Sequence, residues 1–162
     1  MRGLSFFSEG ELFVVDVTLV QKVMRKMSFT PIKAAPQAVV GIANMKGGIV
    51  TLISLSELLG RHRDPSEMNA IVFQSLTSGN DQLGLLIEKP GQLVTIEDID
   101  ITSPDFISKK EEMFFIRGLT DIDDHMYRII DVDLIIERYK KLGEKSRKDG
   151  DNEHGKNNKY EN

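Results

Sequence analysis

Residues 41–60, GIANMKGGIVTLISLSELLG, set two apolar runs around the polar, glycine-rich centre Lys46-Gly47-Gly48, and this pattern returns later in the chain. Moving Gly41 onto Gly118, a shift of 77 positions, places Ser54-Leu55-Ser56-Glu57-Leu58-Leu59 on Asp131-Val132-Asp133-Leu134-Ile135-Ile136 without a gap. The same shift puts Lys46-Gly47-Gly48 on Asp123-Asp124-His125, a second polar turn between apolar runs. A shift of 70 places Phe13, Val15, Val17 and Val23 on Leu83, Leu85, Ile87 and Leu93. The correspondence is one of residue class more than identity. It predicts two related subdomains whose apolar faces share a seam, because a single repeat has nothing to bury its second face against.

The local pattern makes those subdomains β. Glu11–Val17, Ile49–Leu55, Ala70–Leu76, Leu83–Ile87, Met113–Leu119 and Tyr127–Val132 are short and rich in Val, Ile, Leu and Phe. Gly, Asn, Asp and Pro punctuate them, as in SGND at 78–81 and KPG at 89–91. Two places read as helical. Ser56–Leu59 is a brief turn closed by Gly60, and Asp133–Leu142 sets Leu134, Ile135, Tyr139 and Leu142 on one face. Asp131 or Asp133 suits the start of that helix, Lys140 and Lys141 suit its last turn, and Gly143 ends it. Thr18–Met27 fits either state by periodicity, since Leu19, Val20, Val23, Met24 and Met27 would line a helix. The 70-residue shift sets this stretch against Pro90-Gly91, which argues against a long helix.

From Gly143 onward the chain reads GEKSRKDGDNEHGKNNKYEN, with Tyr160 its one sizeable apolar residue. Such a segment cannot bury enough apolar surface to offset its ordering entropy and is expected to be a disordered polar tail over 143–162. The folded unit is then about 6–142, within the size of one domain. With no cysteine, disulfides, thiolate metal sites and thiol catalysis are excluded. A net charge of −4 with mixed signs makes nucleic acid an unfavoured partner. No apolar run reaches the roughly 18 residues of a membrane helix, so no direct membrane insertion is expected. The start, MRGLSFFSEGE, lacks the apolar core of a secretory signal, and the expected location is cytoplasmic.

Chemistry-bearing motifs are scarce. His62, His125 and His154 lie far apart without ligand spacing and read as surface histidines. Asp121-Ile122-Asp123-Asp124 lacks the glycine and terminal glutamate of a calcium loop and reads as a solvated turn. Glu97, Asp98 and Asp100 sit between isoleucines near Pro104, as in an exposed connection. Lys22, Arg25 and Lys26, and likewise Arg61-His62-Arg63, lack interleaved aromatics and read as solvated charge, with a protein-facing salt bridge the next choice. No nucleophile elbow, phosphate loop or dinucleotide fingerprint is present. The expectation is a non-enzyme with no metal and no cofactor.

The order of motifs resembles a known family. Gly10-Glu11 and an apolar strand lead to Val20-Gln21-Lys22-Val23, then Thr30-Pro31, Pro36, Gly41-Ile42-Ala43-Asn44-Met45-Lys46-Gly47 and Ile49–Leu59. Leu83-Gly84-Leu85-Leu86-Ile87-Glu88 and Arg128-Ile129-Ile130-Asp131-Val132-Asp133-Leu134-Ile135 follow. This is similar to the CheW-like domain of bacterial chemotaxis, over about residues 10–142. The resemblance implies two small SH3-like five-stranded β-barrel subdomains sharing a hydrophobic core, with a C-terminal helix. It also implies a non-catalytic adaptor that couples the chemoreceptor cytoplasmic tip to the regulatory domain of the chemotaxis histidine kinase. Carried over by the same resemblance, the expected protein-binding residues are Val20, Lys22, Val23, Gly41, Asn44, Lys46 and Gly47.

Several residues depart from the family pattern. Lys22 stands where glutamate is usual, Lys46 replaces arginine, Thr51 a proline, Ser54 an aspartate and Lys33 a proline. Lys46 keeps the charge and loses the planar fork, while Lys22 inverts it at an expected contact. Core packing is an equal reading for Val20 and Val23, which a regular strand would point to opposite faces. Two further functions fit the same residues: a diverged family member that binds without activating, and a ligand- or peptide-binding β-barrel unrelated to chemotaxis.

Overall fold

The structure, a computed structural model, describes residues 1–33, 35, 38–45, 48–62, 64, 68–74, 81–103 and 114–139. Two compact units divide the chain, Met1–Asp131 and Val132–Asn162. The first contains β1 (Arg2–Ser8), β2 (Glu11–Asp16), β3 (Val20–Met24), β4 (Thr30–Pro31), β5 (Val39–Met45), β6 (Gly48–Ser54), helix α1 (Leu55–Leu58), β7 (Asn69–Phe73), β8 (Gln82–Ile87), β9 (Lys89–Thr95), β10 (Ile116–Ile122) and β11 (His125–Ile130). The second contains helix α2, 132–139. Its outer residue Leu134 is 39% exposed while Val132 and Ile135 are buried, so the apolar face is narrower than the spacing suggested. Lys46, Gly47, Pro36, Arg63, residues 78–80 of the expected turn and the whole of 143–162 lie outside the described residues.

The first unit is two sheets. One has the order β10-β11-β2-β1-β9, the other β3-β7-β8-β6-β5-β4. The N-terminal hairpin therefore pairs with β9 on one side and β11 on the other, and the β7–β8 hairpin pairs with strands that precede it. The two arrangements repeat each other in register. Leu4↔Leu93 corresponds to Val23↔Ile71, and the parallel pair Tyr127↔Leu12 to Val50↔Gln82. Gly118↔Ile129 corresponds to Gly41↔Leu52, and an irregularity interrupts both ladders at the same place, Ile116/Gly118 and Val39/Gly41. These equivalences carry the shifts of 70 and 77 seen in the sequence, and add a third, 67, that relates β1 to β7 (Gly3↔Asp16 and Ala70↔Leu86).

One sheet has six strands where five were expected, because of the two-residue β4, which pairs Thr30 with Ile42. Its counterpart in the other sheet is a single bridge, Thr102↔Leu119. Gly41 and Gly118 explain both pairings. A Cβ built on Gly41 would lie 2.5 Å from the Thr30 carbonyl oxygen, and one on Gly118 would lie 2.8 Å from that of Thr102. Only a residue without a side chain lets the neighbouring segment approach this closely.

Strand β1 begins at Arg2, ahead of the boundary expected at residue 6, and β9 runs through the Pro90-Gly91 expected to be a turn. Proline is admissible there because β9 is an edge strand and is bulged opposite Ser5. At the bulge the Ser5 hydroxyl donates to the Gln92 carbonyl and accepts from the Gln92 amide, both at 2.9 Å. The doubtful stretch Thr18–Met27 is a 3-10 turn (Val17–Leu19) followed by β3, as the repeat argued.

Each sheet buries one face in its own cluster. Val50, Leu52, Ala70, Val72 and Leu86 form one, and Val14, Ile96, Tyr127 and Ile129 the other. The opposite faces are buried too: Phe6, Phe13, Ile53, Ile71, Phe73, Leu85 and Ile87 are almost fully enclosed, and β1 lies against β8 of the other sheet. Phe6 and Phe13 stack across the hairpin at 5.6 Å between centroids. The seam expected from the repeat is thus apolar on both sides. A polar tie crosses it where Ser56 of α1 donates to Glu9 in the β1–β2 turn at 2.9 Å.

Candidate docking surfaces

Strand β3 is one of the two edges of the six-stranded sheet, so the outer row of its peptide groups has no described strand beside it. Its register slips between Val20 and Lys22: Val20 lies opposite Phe73, Lys22 opposite Val72 and Val23 opposite Ile71. Phe73 and Ile71 are two residues apart on β7 and share a face, and cross-strand partners point the same way. The bulge at Gln21 therefore brings Val20 and Val23 onto one face, which a regular strand would forbid. Neither valine belongs to the enclosed core. Val20 is half-buried and Val23 is 36% exposed. Gln21 anchors the bulge by accepting from Gln82, whose amide also donates to the Phe73 carbonyl.

Lys22 is exposed and projects to the face opposite the two valines. Beyond β3 the chain turns at Lys26, which has a left-handed φ of 47° and whose amide is held by the Asn69 side chain at 3.1 Å. Arg25 and Lys26 are exposed beside the same edge.

Asn44 is exposed on β5, directly opposite Ile49 of β6, which is 44% exposed. The sequence did not single out Ile49; its position at the start of a strand, next to a polar turn, is the only signal it leaves. Gly41 is buried, and its place in the site is structural, permitting the approach of β4. Lys46 and Gly47, also expected in the site, lie outside the described residues. Their equivalents by the 77-residue shift, Asp123 and Asp124, have φ of 52° and 62°, the two left-handed residues that a tight hairpin turn of this twist needs.

The candidate contacts are not brought together. Strands β7, β8 and β6 lie between β3 and β5 in the sheet order, so the residues divide between an edge and a hairpin. Ser54, in place of the family's aspartate, is the N-cap of α1 and accepts from the Glu57 amide at 3.3 Å, a task both residue types perform.

Two of the histidines are held by neighbours in sequence. His62 pairs with Glu57 at 2.9 Å, His125 bonds the Asp123 carbonyl at 2.8 Å, and His154 lies outside the described residues. Asp98 and Asp100 sit on an exposed 3-10 turn. Among the described residues no cluster of three or more acidic or histidine side chains is placed to hold a metal. A depression of about 510 Å³ lies beside β9 and the β10–β11 turn, lined among others by Leu12, Leu93, Tyr127 and His125. No described helix is long and apolar enough to cross a membrane.

Residues 2–140 match the family model of the CheW-like domain. The chain belongs to the CheW-like family. Among its relatives, the "Chemotaxis protein CheW" of Thermotoga maritima is 28% identical over 137 residues, which span 83% of this chain and 86% of the relative. That of Rhizobium meliloti is 26% identical over 136 residues, with the same coverage. The crystal structure of the scaffolding protein TtCheW from Thermoanaerobacter tengcongensis superposes with a TM-score of 0.68 at 24% identity, covering 80% of this chain and 87% of that one. CheW-like membership extends the expected match at its start, from residue 10 to residue 2, and so takes in β1.

Proposed function

We propose that this CheW-like chain is a non-catalytic chemotaxis adaptor that couples chemoreceptor cytoplasmic tips to the regulatory domain of the chemotaxis histidine kinase. The observation that supports this reading is that two exposed features lie apart on one sheet, the β3 edge with Val20, Lys22 and Val23 and the paired strands β5 and β6 with Asn44 and Ile49. An adaptor must hold two partners at once, and contacts split between two places on a rigid sheet allow that without a hinge. Both features combine a partly exposed apolar residue with a polar neighbour. Desolvation of the former supplies affinity, and the latter sets register and encounter rate. The chemotaxis proteins named among its relatives support the same assignment.

The test is a pull-down of the full chain with a kinase regulatory domain and a receptor-tip fragment, each alone and then together. Both partners should be retained, and the chain should bridge them in a ternary complex. Retention of neither sinks the reading. Lys46→Ala should leave folding intact and weaken the complex; normal coupling by this variant removes Lys46 from the site. Kinase activity in the ternary complex then separates an activating adaptor from one that only occupies the site.

A further inference from the structure

The internal repeat gives the β3 edge a control built into the same molecule. Strand β9 is an edge of the other sheet and repeats β3 in register, with Val23 equivalent to Leu93 and the same bulge in both pairings. Both edges expose an apolar residue at the same point, Val23 at 36% and Leu93 at 51%. They differ in charge. Lys22, Arg25 and Lys26 fall on Gln92, Thr95 and Ile96, none of them cationic. The fold therefore does not require the three charges of β3.

Nor does any described residue neutralise them. Ion pairs among the described residues include Arg61–Glu9, His62–Glu57, Arg117–Asp98 and Arg128–Glu11, and among those residues no acidic side chain is paired with Lys22, Arg25 or Lys26. The Asn69–Lys26 bond holds the turn that carries two of them. An open row of peptide groups, an exposed apolar side chain on one face and a cation on the other together define an occupant.

We propose that β3 takes an extended acidic protein segment as an added antiparallel or parallel strand. This rests on the adaptor reading and names the chemistry of one partner. The incoming strand hydrogen-bonds the free edge of β3, lays apolar residues over Val20 and Val23, and sets carboxylates beside Lys22 on the opposite face, as the alternation of a strand demands. Arg25 and Lys26 meet further acidic residues at the end of that strand. A membrane surface or a nucleic acid would satisfy the charges and leave the peptide edge unpaired, so a polypeptide is the occupant the edge favours.

The experiment uses the full chain with the kinase regulatory domain and the receptor-tip fragment, followed by amide hydrogen exchange and by affinity at two ionic strengths. For one of the two partners, amides of Val20–Met24 should become protected, and raising salt from about 50 to about 300 mM should weaken binding. Lys22→Glu combined with Lys26→Glu should weaken the same partner by about tenfold or more, and Gln92→Glu on β9 should not. These substitutions are at exposed positions, and circular dichroism checks that each variant is folded. If the wild-type chain binds neither partner, the adaptor reading itself fails. If it binds and the charge reversals change nothing, or if Gln92→Glu is as damaging, the acidic-strand proposal is overturned while the adaptor reading stands. Protection of Val20–Met24 by anionic vesicles or a DNA duplex in place of protein overturns it as well.

Discussion

Ser56 donates its hydroxyl hydrogen to the Glu9 carboxylate across 2.9 Å, joining helix α1, which follows one sheet, to the β1–β2 turn of the other. Arg61 reinforces the tie by donating to the Glu9 carbonyl at 2.9 Å. Glu9 holds a left-handed φ of 53°, a conformation that costs a non-glycine residue energy and is maintained by these partners. A double-mutant cycle of Glu9→Gln and Ser56→Ala should show a coupling energy of about 1 kcal/mol in urea unfolding, since the bond is partly shielded from water. Additive losses would mean that the bond does not contribute to holding the sheets.

Gly41 and Gly118 do the same job in the two sheets. Gly41→Ala and Gly118→Ala should each destabilise the fold by about 1–3 kcal/mol, because a Cβ at either site enters a space already filled by backbone. Thermal unfolding of the two single variants checks this. A neutral result at one site would break the functional equivalence of the two sheets.

Val23 on β3 and Phe73 on β7, the paired strand, should separate binding from folding. Val23→Ala, at an exposed edge, should change stability by no more than about 0.5 kcal/mol. Phe73→Ala, on the adjoining strand and enclosed, should cost about 3–5 kcal/mol. If Val23→Ala weakens a partner at unchanged unfolding midpoint, the valine serves docking. A large loss of stability would return it to the core.

The Ser8 hydroxyl is buried and finds no hydrogen-bond partner among the described residues. Ser8→Ala should therefore be neutral or stabilising, by up to about 1 kcal/mol, since it removes an uncompensated desolvated group. A clear destabilisation in the same unfolding assay would indicate a partner for the hydroxyl, such as a bound water.

Ser54 caps α1 and is enclosed. Ser54→Ala should cost about 1 kcal/mol by leaving the Glu57 amide without its acceptor. An unchanged midpoint would show that α1 is held by packing alone.

The repeat, the β character and the short helix after each second hairpin were present in the sequence, because residue class at fixed spacing records which side chains face a core. The shifts of 70 and 77 that align Phe13 with Leu83 and Gly41 with Gly118 reappear as identical strand registers. Family membership was likewise legible, in the order of short motifs along the chain. Strand β9 was not, since Pro90-Gly91 imitates a turn, and only the edge position and the bulge opposite Ser5 make it a strand. The exchange of hairpins between the two sheets was also beyond local pattern. A strand's alternation states which face is apolar but not which other strand completes its ladder, and β2 finds β11 more than a hundred residues away in sequence. The edge location of β3, and the bulge that turns Val20 and Val23 to one face, depend on that pairing. Composition and spacing thus determined what each segment could become. Tertiary structure decided which segments meet and which edge is left open, because long-range pairing is a choice among partners that local chemistry leaves equivalent.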